Sequence, residues 1–236
     1  VGTAIAFWEK NRIDWSIFLT FITSAILILA WENISNDVFD SETGIDKNKH
    51  HSLVNLTGNK DLMFWLGNLC LFLGILGILI ISWWLQDLTV IGLIFLCCFL
   101  GYIYQGPPFR LGYQGLGEII CFFAFGPLAI SAAYYSQTKT WSITSLTASI
   151  IIGITTTIIL FCSHFHQVRD DLAAGKRSPI VRMGTKAGSQ VLNWSCGIVF
   201  VLISICVGLG FFPVWTLLSF TGCLLYTSPS PRDNTG

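Results

Sequence analysis

Six uncharged, continuously apolar runs limit what this chain can fold into. They cover residues 15–30, 62–85, 88–104, 119–135, 142–162 and 191–212, and each approaches the roughly 20 residues that a helix needs to cross a bilayer. Strands of a membrane β-barrel would alternate between apolar and polar residues, which these runs do not. Only 11% of the 236 residues are charged, whereas soluble domains contain about a quarter. The sequence therefore predicts an all-α integral membrane protein.

The apolar runs also predict where the helices lie. We expect membrane-embedded segments at residues 1–8, 14–39, 62–84, 88–105, 115–136, 142–165, 190–211 and from 213 onward. Residues 41–61 and 166–189 are expected to form long polar connections. The first and last segments are short, so we expect a transmembrane domain over residues 1–223 that is truncated at both ends. The polar stretch 224–236 reads as a non-native tail.

The positive charges predict the orientation of the chain. Lys and Arg side chains number nine in the connections 41–61, 105–114 and 166–189, against three in the opposite connections. Cytoplasmic loops carry such an excess, so the long connections are predicted to face the cytoplasm. Four predicted spans separate the two long connections, and this even number also puts them on one side. The net charge is zero, which gives no indication of a nucleic-acid partner.

The first long connection begins with a cluster of carboxylates and amides. Asn33, Asn36, Asp37 and Asp40 follow a helical spacing of i, i+3, i+4 and i+7, which stacks them along one helix face. Gly44 allows the chain to leave the helix, so that Asp46 can fold back toward the same point. Hard oxygen ligands of this kind suit Mg²⁺. The alternative is a solvated helix end, which would require neither the stacking nor the two amides.

A second acidic cluster lies near the start of the other long connection. Asp170 and Asp171 are followed within twelve residues by Lys176, Arg177 and Arg182. A metal ion could bridge these carboxylates to a phosphate, while the cations contact its outer oxygens. Two such segments on one membrane face could bind a diphosphate between them. The alternative for the basic residues is the ordinary excess of positive charge in cytoplasmic loops.

Neither the histidines nor the cysteines predict a zinc site. His164 and His166 would point roughly 200° apart on a helix, which is a poor arrangement for chelation. The eight cysteines lie inside or beside apolar runs without a CxxC spacing. They read as small core residues rather than disulfides or metal ligands.

The connection after the fourth run is aromatic. Tyr102, Tyr104 and Tyr113 could line a substrate pocket and stabilise a cation with their ring faces. A belt of aromatic side chains at the membrane interface explains each of them equally well. Glu118 stands where the next span begins, as a charge at a helix N-terminus or as a pocket group.

Several sequence motifs in these connections resemble those of the UbiA superfamily of intramembrane prenyltransferases. They are "NDVFDSETGID", "GPPFRLGYQGLGE" and "HFHQVRDDLAAGKRSPIVRMGT". The spacing of the first is similar to the cyanobacterial and plant branch that acts on 1,4-dihydroxy-2-naphthoate. The second acidic motif departs from the DxxxD of many relatives, because Gln167 stands four residues before Asp171. Asp170 could take over that role, or a second metal ion could have one carboxylate fewer.

The resemblance implies a nine-helix bundle in a plasma or thylakoid membrane, with the site facing the cytoplasm. The implied reaction is Mg²⁺-dependent transfer of a phytyl or polyprenyl group from its diphosphate to dihydroxynaphthoate, with loss of CO₂, on the route to phylloquinone or menaquinone. Asp37, Asp40 and Asp171 would be central to catalysis. Alternatives are another acceptor, such as homogentisate or chlorophyllide, a transporter, and a non-catalytic scaffold.

Overall fold

The computed structural model describes residues 1–45 and 52–221, and within them every regular element is helical. Asp46 and the expected tail 224–236 lie outside these ranges. The helices are α1 (Gly2–Lys10), α2 (Trp15–Thr43), α3 (Leu53–Thr57), α4 (Lys60–Leu85), α5 (Thr89–Gln105), α6 (Gly117–Phe123), α7 (Ala129–Thr138), α8 (Ile143–Ala173) and α9 (Pro179–Gly208). A π-helical turn, Ala124–Leu128, joins α6 to α7, and 3₁₀ turns cover Leu111–Gln114 and Val214–Phe220.

Within residues 1–45 and 52–221, five helical segments are long and apolar enough to cross a membrane. They are α2, α4, the combined Gly117–Thr138 segment, α8 and α9. Apolar side chains cover the outside of the bundle as well as its core. Trp65, Trp83 and Trp194, for example, are at least 70% exposed, an arrangement that lipid favours and water does not. The prediction of an all-α, multi-pass membrane protein is confirmed.

The most extensive contact between two helices is that of α2 with α4. It depends on glycine, which has no side chain to separate the helices. A Cβ added at Gly74 would lie 2.7 Å from Ile28 Cγ1 and 3.1 Å from the Ser24 carbonyl oxygen. Small residues at such crossings let two membrane helices approach closely. This close packing fixes α2, which carries the first acidic cluster, against the rest of the bundle.

Three helices, α2, α8 and α9, extend beyond the predicted spans at the site of the polar connections. Helix α2 continues to Thr43 and ends at Gly44, which has a left-handed φ of 74°, as the sequence indicated. Helix α8 continues to Ala173 and α9 begins at Pro179, with a break at Gly184. The expected long connection at 166–189 is therefore wrong: only five residues separate these helices. Apolar runs mark the part of a helix in hydrocarbon, whereas the helix itself continues into the polar region.

The two acidic clusters lie at the same end of the bundle. Residues near the last turns of α2 and α8 line one cavity, which agrees with the even number of spans between them. We call this the site end. The opposite end, called the far end here, contains residues 10–15, 85–89 and 138–143.

Candidate functional site

A cavity of about 270 Å³ at the site end contains residues from both acidic clusters. We call it the polar cavity. It is lined by Asn36, Asp40, Ile45, Tyr104, Gln105, Leu160, Ser163, His164, Gln167, Asp170, Asp171 and Lys176. The structure thus brings together four predicted metal ligands, Asn36, Asp40, Asp170 and Asp171, with the predicted diphosphate contact Lys176. Gln167, which replaces an Asp of the usual motif, faces the same space.

Asp40 is almost completely buried and is held by an aromatic side chain from the α5–α6 connection. The Tyr113 hydroxyl donates a hydrogen bond of 2.8 Å to Asp40 Oδ1 and lies 2.7 Å from Thr43 Oγ1. Burial raises the pKa of the Tyr113 hydroxyl, so the group remains a hydrogen-bond donor at neutral pH. Lys176 Nζ lies 5.6 Å from the centre of the Tyr113 ring. Tyr113 therefore connects the two halves of the site without lining the cavity.

Asp171 is fully buried and belongs to a chain of charged groups. His164 Nδ1 lies 3.4 Å from Asp171 Oδ2, and His164 Nε2 lies 3.2 Å from Glu118 Oε1. Lys176 Nζ is 3.6 Å from the other oxygen of Asp171. Buried carboxylates are stable only when opposite charges or hydrogen bonds compensate them. His164 lies between two carboxylates and, when protonated, compensates both, which links Asp171 to Glu118 of α6.

The donor atoms of the polar cavity suit a hard divalent cation. Asn36 Oδ1 and Gln105 Oε1 are buried without a hydrogen-bond partner among the described residues, although buried acceptors normally have one. Two carboxylates, Asp40 and Asp171, add negative charge beside them. In the described ranges no three His, Cys, Asp or Glu side chains converge on one point. Two amide oxygens and two carboxylates fit Mg²⁺, which takes one or two carboxylates and completes its shell with water and phosphate oxygens.

Asp37 and Asn33 point elsewhere than Asp40. Asp37 Oδ2 accepts a 2.8 Å hydrogen bond from the backbone amide of Leu53 at the first turn of α3. The Asn33 amide donates to the Leu29 carbonyl oxygen over 2.8 Å. The predicted stack of four ligands is therefore divided: Asn36 and Asp40 line the polar cavity, whereas Asp37 holds α3 in place.

Two predicted diphosphate contacts lie outside the polar cavity. Arg182 is exposed, and its guanidinium donates to the backbone carbonyl oxygens of Arg177 and Gln114. Arg177 is also exposed, and its backbone amide donates to the Tyr113 carbonyl oxygen over 2.8 Å. In the arrangement described, both arginines stabilise the short connection between α8 and α9 against the aromatic connection.

A second cavity of about 190 Å³ adjoins the first toward the middle of the bundle. We call it the middle cavity. Its walls are Leu29, Trp31, Glu32, Asn33, Ser35, Asn36, Phe39, Gly101, Tyr102, Tyr104, Gln105, Ile120, Cys121, Ala124, Phe125 and Leu160. Asn36, Tyr104 and Gln105 line both cavities. Of the four predicted pocket residues, Tyr102 and Tyr104 line the middle cavity. Glu118 lines neither cavity and contacts His164 instead.

Sequence reasoning missed His164 and Gln105. A signal for His164 was available, since Ser163, His164, Gln167 and Asp171 recur at the spacing of one helix face. The spacing of His164 and His166 argues only against a zinc site, and His166 is exposed. Gln105 gave no comparable signal, because a single amide at the end of an apolar run is common.

Comparison with known proteins finds relatives that are named as prenyltransferases. A 2-carboxy-1,4-naphthoquinone phytyltransferase from Synechocystis is 58% identical over 205 residues, which are 87% of this chain and 67% of that protein. The chloroplastic protein of that name from Arabidopsis thaliana is 42% identical, over 86% of this chain. The match covers 55% of the Arabidopsis protein, so the chain spans about half the length of that relative.

A more distant relative is named for a different prenyl group. The 1,4-dihydroxy-2-naphthoate octaprenyltransferase of Bacillus subtilis is 23% identical over 93% of this chain and 71% of its own length. The model of the UbiA prenyltransferase family matches residues 1–235. Because this match covers nearly the whole sequence, the chain belongs to the UbiA prenyltransferase family.

Proposed function

We propose that the protein transfers a prenyl group, phytyl or a longer polyprenyl, from its diphosphate to 1,4-dihydroxy-2-naphthoate. The bond between the allylic carbon and the diphosphate oxygen breaks, and a ring carbon bonds to the allylic carbon. The ring carboxylate leaves as CO₂, and its bonding electrons restore the aromatic ring. The names of the Synechocystis, Arabidopsis and Bacillus relatives support this choice of acceptor class.

The observation that carries the proposal is the junction of two unlike cavities. Asp40, Asp171 and Lys176 face the polar cavity, which can hold a diphosphate. The middle cavity beside it is walled by Phe39, Phe125 and other aromatic and aliphatic side chains. A diphosphate ester with a lipid tail has the same two halves.

Members of this family generally depend on a divalent metal, and we propose Mg²⁺ here. Asn36 and Asp40 would hold it from α2, and Asp170 and Asp171 from α8. When bound, Mg²⁺ neutralises the negative charge that develops on the departing diphosphate. Roles for Asn33, Asp37 and Asp46 in metal binding, and for Arg177 and Arg182 in diphosphate binding, stay predictions.

The chain's own residues provide charge stabilisation and dryness. Lys176 places a cation in the polar cavity, where it can contact the diphosphate oxygens, and preorganised charge of this kind is usually the largest catalytic effect. Tyr104, between the two cavities, presents its ring at the point where the allylic carbon would become cationic. The apolar walls of the middle cavity exclude the water that would otherwise capture that carbon.

The positive-inside bias supports a cytoplasmic site end, in a plasma or thylakoid membrane.

The function is tested with the protein in membranes, supplied with Mg²⁺, dihydroxynaphthoate and labelled phytyl or polyprenyl diphosphate. We expect prenylated naphthalenediol, labelled CO₂ from carboxyl-labelled acceptor, and no product after chelation of divalent cations. Absence of product with every donor would overturn the proposal. Homogentisate and chlorophyllide, offered in parallel, test the acceptor.

A further inference from the structure

Glu32 is a carboxyl group on the membrane-spanning helix α2, two residues beyond the uncharged run 15–30. It lies on α2, eight residues or about 12 Å along the helix from Asp40 toward the middle of the bundle. An ionisable side chain at such a depth is costly and generally has a function. The polar cavity does not include Glu32, and neither the metal nor the diphosphate proposal uses it.

Glu32 lies where two cavities meet. It lines the middle cavity and also an apolar cavity of about 120 Å³ that continues from it between α2, α5 and α7. A Cβ added at Gly101 of α5 would lie 3.7 Å from both Cδ and Oε1 of Glu32. The carboxyl group therefore faces α5 across space that a larger residue at position 101 would fill.

No described residue compensates this carboxyl group by a hydrogen bond or an ion pair. The residues that line the middle and apolar cavities include no Lys, Arg, His or Asp. Glu32 is half-buried, and a carboxyl group withdrawn from water without a partner is destabilising. A ligand in the middle cavity that presents a hydroxyl hydrogen would remove this cost.

We propose that Glu32 binds a ring hydroxyl of the aromatic acceptor, and this inference rests on the proposed function. With the diphosphate in the polar cavity and the tail passing through the middle cavity into the apolar cavity, the acceptor ring must reach the allylic carbon where the polar and middle cavities meet. Reacting atoms approach to about 3–3.5 Å, and Glu32 lies about 6 Å along the helix from Asn36. That distance leaves room for one ring between the bond that breaks and the carboxyl group.

A hydrogen bond from the ring hydroxyl to Glu32 serves both orientation and reactivity. It fixes which ring carbon faces the prenyl group, and it increases electron density on the ring as the carbon attacks. No proton has to leave, because CO₂ carries away the displaced group. Glu32 is then a specificity-determining residue: a site built to bind a hydroxyl rejects analogues that lack it, since its own polar group stays unpaired.

The test compares three acceptors in the full chain. Dihydroxynaphthoate is measured against 1-hydroxy-2-naphthoate and 4-hydroxy-2-naphthoate, each of which lacks one hydroxyl. The variants are Glu32→Ala, Glu32→Gln, which keeps an accepting oxygen, and Asp61→Asn, an exposed carboxylate of α4 that serves as the control. Acceptor binding is measured by equilibrium dialysis without prenyl diphosphate, and KM is measured for both substrates.

We expect Glu32→Ala to weaken dihydroxynaphthoate binding about 10- to 100-fold. It should leave the KM for prenyl diphosphate within about twofold, and should abolish discrimination against one monohydroxy analogue. Glu32→Gln should retain most of that discrimination. Equal losses for all three acceptors, a raised KM for the diphosphate, or unchanged binding would each overturn the inference. If the unmodified protein forms no product with any acceptor, the proposed function itself fails.

Discussion

Both ends of the helical bundle carry carboxylates at helix termini, but the two ends use them differently. At the far end, Asp14 accepts hydrogen bonds of 3.0 Å from the backbone amides of Ser16 and Ile17 and so caps α2. Asp87 accepts from the Thr89 amide and the Tyr135 hydroxyl, and these hydrogen bonds, those of Thr89 first, lower its pKa. These carboxylates hold connections together.

At the site end, polar groups face a cavity instead of a helix terminus. Asn36 and Gln105 have buried acceptor oxygens with no partner in the described chain, and Asp171 is contacted by cations rather than backbone amides. The comparison teaches that a charge at the end of an apolar run does not by itself mark a site. Unsatisfied acceptors that share a cavity are a better indication.

The largest expected effect is a loss of kcat from substitutions at the site end that substitutions at the far end do not cause. Asp40→Asn and Asp171→Asn should each reduce kcat about 10³-fold or more, because each removes a carboxylate that is proposed to hold the Mg²⁺ that neutralises the leaving diphosphate. Asp87→Asn, at the far end, should change kcat less than about twofold. Initial rates in membranes, normalised to protein, decide this. Similar losses at both ends would mean that the carboxylates act on folding alone.

A smaller effect is expected from the buried bridge between α6 and α8. His164→Ala should weaken the apparent affinity for Mg²⁺ about 10- to 100-fold, because Asp171 loses the side chain that orients it. A titration of activity against Mg²⁺, with elution on size exclusion as a check of folding, measures the change. His166→Ala is the matched control, since this neighbour is exposed. An unchanged Mg²⁺ requirement in a folded His164→Ala protein would contradict the positioning role.

The hydroxyl of Tyr113 should contribute less. Tyr113→Phe keeps the ring beside Lys176 but removes the hydrogen bond to Asp40, so the apparent Mg²⁺ affinity should change about fivefold, which corresponds to about 1 kcal/mol. Tyr135→Phe removes the equivalent bond to Asp87 and serves as the far-end control. It should leave the Mg²⁺ titration unchanged. Equal shifts in both variants would contradict a specific link between Tyr113 and the site.

The smallest effect on activity is expected at the cap of α2. Asp14→Ala removes two hydrogen bonds at the helix N-terminus and should lower the free energy of unfolding by about 1 kcal/mol. The thermal midpoint in detergent should fall, while kcat measured below that temperature should stay within about twofold. A large loss of kcat without a change in the midpoint would show that the far end takes part in the reaction.

Much of the architecture follows from the sequence alone. A long apolar run has few ways to satisfy its backbone except as a membrane helix, and the number of runs between two polar segments determines their side. The apolar runs therefore predicted the long helices and the shared end of the acidic clusters, and the motif spacing predicted the family. The span expected from residue 213 onward is instead a 3₁₀ turn over Val214–Phe220 in the described residues. The roles of the site residues themselves stay predictions.

Only the tertiary structure decided which cavity or which residue each polar side chain contacts. Helical spacing shows that residues share a face, but the packing of α2 against α4 and α5 determines which face meets the cavity. Asp40 lines the cavity, whereas Asp37, three residues earlier, contacts α3. His164 bridges Glu118 and Asp171 because α6 packs against α8, a contact between residues distant in sequence. Burial and pairing depend on such contacts, so the residue types alone do not determine them.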